Sequence, residues 1–136
     1  MTYYLDKAEL PTIPVPHDCV INDISFSNDF LVLDFEQDIS KHDSIKDIHS
    51  NAKSLIIKMH LIDTFDIYQM KIRKFPKFKR FYVEIDFNKL ADLVKQKRVV
   101  YLYHYIAYQS LIINLYYNTN IIFKLQADYI EYIWKE

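Results

Sequence analysis

Three short runs of this chain hold the residue types of enzyme or metal chemistry. His17-Asp18-Cys19 sets an imidazole, a carboxylate and a thiol side by side, the parts of a cysteine nucleophile and its base. On an extended strand neighbours point to opposite faces, so His17 and Cys19 share a side and Asp18 does not. No third group stands nearby to orient the base, and a small buried cysteine is the simpler reading. His42-Asp43 with His49 offers three metal ligands on a polar stretch, but the spacing matches no closed zinc pattern. Glu84 and Asp86, two apart on one strand face, have the geometry of paired acid–base catalysts. Any solvent-facing strand produces the same alternation. His60 and His104 fall inside strand patterns and read as histidines satisfied within a sheet. The reading therefore assigns no catalytic residue, no metal and no cofactor.

The sharpest surface signal is Lys71-Ile72-Arg73-Lys74-Phe75-Pro76-Lys77-Phe78-Lys79-Arg80-Phe81-Tyr82, with six bases, no acid and aromatics between them. Lys71, Arg73, Lys74, Phe75, Lys77, Phe78, Lys79 and Arg80 are the candidate partner-binding residues. Cations for phosphate and rings for base stacking are what single-stranded nucleic acid requires. The plain alternative is a hairpin whose Phe75, Phe78 and Phe81 pack inward beneath solvated lysines. Docking of an acidic protein is a third use of the same charges. Charge is segregated along the chain: net −5 over residues 1–60, +5 over 61–100 and −1 over the remainder. The acidic part, with Asp34, Glu36, Asp38, Asp43 and Asp47, suits a basic partner.

The elements that must position these residues read as strands. Leu31, Leu33 and Phe35 alternate with Val32, Asp34 and Glu36, and Leu55, Ile57, Met59 and Leu61 with Ile56, Lys58, His60 and Ile62. Phe81, Val83, Ile85 and Phe87 alternate with Tyr82, Glu84 and Asp86. Near the end, Ile121, Phe123, Leu125, Ala127 and Tyr129 alternate with Lys124, Gln126 and Asp128. Such half-solvated strands belong to antiparallel sheets. Ser27-Asn28-Asp29 and Asn118-Thr119-Asn120 predict short hairpin turns, joining 20–26 to 30–36 and 111–117 to 121–132. Pro76 marks a turn or an edge. Tyr101, Tyr103 and Tyr105 with Val99 and Ala107 form one stripe, and Leu102, His104, Ile106 and Tyr108 the other, which predicts a central strand covered on both faces, and large tyrosine surfaces also suit an interface.

One short helix is predicted near 88–97: Phe87, Leu90, Ala91 and Val94 recur at helical spacing, with Asn88 as N-cap and Lys95, Lys97 and Arg98 at the C-terminal end. Residues 36–54 read as a polar loop with one helical turn, and residues 1–16 as an extended segment held by prolines. The fold class expected is mainly β (α+β), a single domain of 1–136. It is an antiparallel meander of seven or eight strands forming a sandwich or a curled, barrel-like sheet.

Composition narrows the classes further. The chain has no glycine, where about 7% usage would supply nine or ten. Phosphate-cradling loops, dinucleotide fingerprints and nucleophile elbows all need glycine, so these are excluded. Ile, Lys, Asn, Tyr and Phe supply 61 residues, a bias that points to an AT-rich bacterial or phage genome. At 51% hydrophobic residues and a net charge of −1, disorder is excluded. Cys19 is the only cysteine, so no intrachain disulfide forms. No signal peptide is visible, and His104, Gln109, Ser110 and Asn114 interrupt the longest apolar stretch. The expectation is a cytoplasmic protein with no membrane partner.

The pattern His17-Asp18-x-x-Ile21, Ile24 and Leu31-Val32-Leu33, then the aliphatic pairs Leu111–Leu115 and Ile121–Leu125 with Ala127-Asp128-Tyr129-Ile130-Glu131-Tyr132-Ile133-Trp134, resembles small bacterial β-rich proteins of unknown function. Some of those are regarded as immunity proteins that neutralise a toxin. The resemblance covers about residues 17–36 and 101–134 and implies a non-enzymatic, cytosolic role, with no functional residue carried across. The expected function is a non-catalytic protein–protein interaction module, of immunity or inhibitor type, with a protein partner of unknown identity. The alternatives are single-stranded nucleic-acid binding through 71–82 and a small-ligand carrier or barrel enzyme.

Overall fold

The computed structural model describes residues 1–136. In chain order the elements are β1 (Thr2–Tyr4), β2 (Ile21–Ser27), β3 (Phe30–Phe35), α1 (Asp43–Lys46), β4 (Ser54–Leu61), β5 (Asp66–Arg73) and β6 (Lys79–Ile85). They continue with α2 (Phe87–Gln96), β7 (Val100–Ala107), β8 (Ser110–Tyr117), β9 (Thr119–Leu125) and β10 (Ala127–Lys135). Ten strands thus replace the expected seven or eight. They form two five-stranded antiparallel sheets, ordered β1-β10-β4-β3-β2 and β6-β5-β9-β8-β7. The sheets do not close on themselves, so the fold is a β-rich α+β sandwich and not a barrel.

The buried residues are those the alternation marks. Leu31, Leu33 and Phe35 of β3 and Leu55, Ile57, Met59 and Leu61 of β4 meet Leu111, Ile113 and Leu115 of β8 and Ile121, Phe123 and Leu125 of β9 in one continuous cluster. Each such side chain contributes about 1.5–3 kcal/mol by leaving water. Strands β2–β3, β5–β6, β7–β8 and β8–β9 are hairpins, whereas β3 reaches its neighbour β4 through the long connection that holds α1, and β10 inserts between β1 and β4, so the order is not a pure meander. Helix α2 packs against β2, burying Leu90 and Val94. Its N-cap is Asp86, whose carboxylate accepts from the Lys89 N–H at 2.8 Å, and not Asn88.

Three expectations fail for reasons a linear reading could not carry. The stretch 121–132 is two strands in different sheets: Gln126 separates β9 from β10, and a register shift follows between Ala127 and Tyr129. A second shift between Tyr101 and Tyr103 breaks the tyrosine stripe, leaving Tyr101 and His104 inward and Tyr103 and Tyr105 outward. Strand β7 is also an edge strand and not a central one.

The amino-terminal segment is extended, as its prolines require, but it begins as β1, which pairs with β10. Further on it covers the start of the free edge of β7. The Asp18 N–H donates to Tyr101 O at 2.8 Å, the Tyr101 N–H to Cys19 O at 3.0 Å and the Ile21 N–H to Val99 O at 3.0 Å. A bare edge would invite other chains, and this strap pairs with its first residues, Val99 to Tyr101. Without glycine, left-handed backbone falls to Asp18, Asn28, Asp29, Asp38, Gln109 and Asn118, all but one of them Asp or Asn.

Candidate functional site

Strand β5 pairs with β9 only from Asp66 to Gln69, whereas its ladder with β6 runs on to Arg73 opposite Lys79. Four residue pairs therefore extend beyond the sandwich, roughly 14 Å at 3.4 Å per residue. Residues 72–84 are all exposed, in a chain where β3, β4, β8 and β9 bury alternate positions. The hairpin is a projecting two-stranded ribbon, and Pro76 lies in its turn. All eight candidate binding residues are on it: Lys71, Arg73, Lys79 and Arg80 in the ladder, Lys74, Phe75, Lys77 and Phe78 at the tip.

The tip aromatics do not pack inward. Phe75 is 84% exposed and Phe78 64%, and even Phe81 is 39% exposed. The Arg80 guanidinium lies over the Phe78 ring at 5.6 Å from its centroid. None of the six bases forms an ion pair with a carboxylate; the ion pairs of the protein all lie elsewhere. Successive side chains alternate, so Lys71, Arg73, Lys79 and Phe81 share one face of the ribbon and Met70, Ile72, Arg80 and Tyr82 the other.

The second of those faces continues the outer surface of the β6-β5-β9-β8-β7 sheet. One row across it reads Glu84, Tyr68, Ile122, Asn114 and Tyr103; the next reads Asp66, Lys124, Ile112 and Tyr105. Tyr103, Tyr105, Tyr116 and Tyr82 are exposed, between 42% and 61%. Lys124 sits over the Tyr68 ring at 5.5 Å. A shallow depression there is lined by Tyr68, Tyr82, Ile122 and Lys124. The sequence marks these tyrosines as interface-forming by type, and the register shift after Tyr101 decides that Tyr103 and Tyr105 reach this surface while Tyr101 does not.

The residues of the other constellations make contacts within the fold. Cys19 is buried, and burial, helped by the nearby Glu36 and Asp18 charges, pushes its thiol up to about 12. His17 sits outside, with Nδ1 2.7 Å from Leu102 O and Nε2 3.3 Å from Asp18. Glu36 ties the 36–54 connection to β2: its carboxylate accepts from the Val20 N–H at 2.6 Å and meets Lys41 at 2.6 Å and His42 at 3.2 Å. Burial alone would raise its pKa, but these hydrogen bonds hold it below the usual carboxylate range. His42 is thus engaged with Glu36, while His49 stacks on Trp134 and reaches Glu136 at 3.2 Å, so the three residues of the metal reading do not converge. Asp86 is a helix cap and not a partner of Glu84.

Both strand histidines are satisfied. His60 Nδ1 is 2.7 Å from Asp128 Oδ1, its ring stacked on Tyr129. It borders an open cleft of about 710 Å³ lined also by Phe26, Asp29, Asp63, Thr64 and Phe65. Sequence separation hid this pair, since its members stand 68 positions apart. His104 lies inside the sandwich, 6% exposed, between the Tyr101 hydroxyl at 2.6 Å and Ile13 O at 3.1 Å. A carbonyl only accepts, so Nε2 carries the proton and Nδ1 accepts from Tyr101. Desolvation holds the imidazole below the ordinary histidine pKa.

No helix is long and apolar enough to cross a membrane. No protein-family model, curated protein or solved structure matches the chain.

Proposed function

We propose that this chain is a non-catalytic protein–protein interaction module of immunity or inhibitor type, acting in a bacterial cytoplasm. The observation that carries the reading is the outer face of the β6-β5-β9-β8-β7 sheet, where Tyr68, Tyr82, Tyr103, Tyr105 and Tyr116 stand with Ile112 and Ile122, and the charges Asp66, Glu84 and Lys124 are confined to the β6-β5-β9 side. Tyrosine supplies large contact area at low entropy cost and is enriched at interface centres. The ribbon cations at one end of this face suit a partner with an apolar patch and an acidic rim. Affinity capture tests it. The wild-type chain retains a stoichiometric protein partner, and the Tyr68→Ala/Tyr103→Ala/Tyr105→Ala variant loses it at a cost above about 1 kcal/mol per central residue. A chain that remains a salt-insensitive monomer and captures nothing stoichiometric rules the reading out.

A second reading concerns a different surface. The uncompensated bases and exposed rings of the ribbon favour nucleic-acid binding, with phosphate contacts from Lys71, Arg73, Lys74, Lys77, Lys79 and Arg80 and ring contacts from Phe75 and Phe78. Salt titration of oligonucleotide binding checks it. Affinity that falls steeply with salt, and drops on changing Lys74, Lys77 and Arg80 to Ala, supports the reading; affinity untouched by those changes removes it.

A further inference from the structure

The ribbon is convex. Proteins that hold single strands present a concave, positively charged groove with bases laid on rings along its floor. Here two strands project from the body with exposed side chains on both faces, and the rings that stand clear of the body, Phe75 and Phe78, crowd the tip. Such a shape fits into a groove and does not provide one. We infer, building on the nucleic-acid reading of this segment, that the ribbon inserts into the major groove of duplex DNA.

Dimensions select that groove. The major groove of B-DNA is about 12 Å wide and 8.5 Å deep and admits a two-stranded ribbon, while the minor groove at about 6 Å does not without being forced open. The projecting ladder is roughly 14 Å long, enough to reach the groove floor while the body stays outside. In A-form RNA the corresponding groove is too narrow for side chains to read, so the duplex is DNA.

Chemistry agrees with the shape. Arg73 and Lys79 are direct cross-strand partners, an arrangement that repels in the free protein. Phosphates flanking the ribbon on both groove walls relieve it. Lys71 extends the positive face toward the body, and Arg80 supplies the opposite face. The tip rings meet base edges, where thymine offers a methyl group to apolar side chains. The acids of the sandwich do not cancel this field, because the tip lies beyond a Debye length of about 10 Å at 0.1 M salt.

The test is fluorescence anisotropy of the full chain with a 20-base-pair DNA duplex, a 20-nucleotide single strand and a duplex RNA of equal length. The DNA duplex binds tightest. Six phosphate contacts make log K fall with log salt at a slope of about −5, or about 10³-fold between 50 and 200 mM. The Lys74→Ala/Lys77→Ala/Arg80→Ala variant flattens the slope by about 3. These side chains are exposed, and circular dichroism of the variant establishes that it is folded. Binding to the single strand that equals or exceeds binding to duplex DNA overturns the groove inference alone and leaves the nucleic-acid reading standing. Equal binding to duplex RNA also overturns it. No salt-dependent binding to any of the three overturns both.

Discussion

Arg73 and Lys79 face each other as the last paired residues of the β5–β6 ladder, and neither has a carboxylate partner. Like charges directly opposite on a sheet destabilise it, whereas an opposite pair contributes roughly 0.2–1 kcal/mol. The pair therefore costs the free fold a little stability and adds none.

Lys79→Glu therefore separates stability from binding. The variant unfolds at the same or a slightly higher urea midpoint, because the new carboxylate neutralises Arg73 across the ladder. Its affinity for duplex DNA at 50 mM salt drops by about tenfold or more, since one phosphate contact is removed and one repulsive charge added. A variant that loses stability while binding unchanged contradicts the role given to the ribbon.

Cys19 resists thiol reagents in the folded protein. With the thiol pushed up to about 12, the reactive thiolate is about one part in 10⁴ at pH 8, and the side chain is buried besides. Labelling by a maleimide or a disulfide reagent proceeds only at the rate of unfolding, and becomes immediate in denaturant. Rapid labelling under native conditions would reopen the nucleophile reading of His17-Asp18-Cys19.

The strap over β7 weakens in mild acid. His104 bridges Tyr101 to Ile13 O as a neutral ring, and burial holds its folded pKa below the unfolded value of about 6.5. The unfolded chain thus binds the proton first, and stability declines as pH falls from about 6.5 toward the folded pKa. Above pH 7 this contribution is fully present. Denaturant midpoints at pH 7.5, 6 and 5 measure the decline, and the ring resonances of His104 by NMR locate its titration. A resonance that titrates at or above 6.5 contradicts the burial argument.

Period-two alternation was sufficient for most of the strands, because a half-buried strand must place Leu31, Leu33 and Phe35 on one side and has no other way to do so. It failed where one residue slips the register. The shifts at Tyr101–Tyr103 and Ala127–Tyr129 reverse every later side chain, and no local residue type announces them. Strand β1 was invisible for another reason: three residues carry no periodicity, and its partners Glu131, Ile130 and Tyr129 lie at the other end of the chain. The ribbon shows the same division. Its charges and rings were legible in the run Lys71–Tyr82, but whether the phenylalanines enter the core depends on β9, which stops pairing with β5 at Gln69.

That stopping point makes two phenylalanines of one chain behave oppositely. Phe123 is 1% exposed on β9, packed against Phe65 with centroids 5.2 Å apart. Phe123→Ala removes buried area and leaves a cavity, and costs about 3–5 kcal/mol in urea denaturation. Phe75, at the ribbon tip, leaves no cavity when cut back, so Phe75→Ala shifts stability by less than about 0.5 kcal/mol. Ligand binding runs the other way: Phe75→Ala weakens duplex DNA affinity several-fold with the salt slope unchanged, because a ring contact is lost and no phosphate contact is. Were Phe75→Ala instead to destabilise the fold by more than about 1 kcal/mol, the tip would be packed on the body in solution, and a free arm able to enter a groove would not exist.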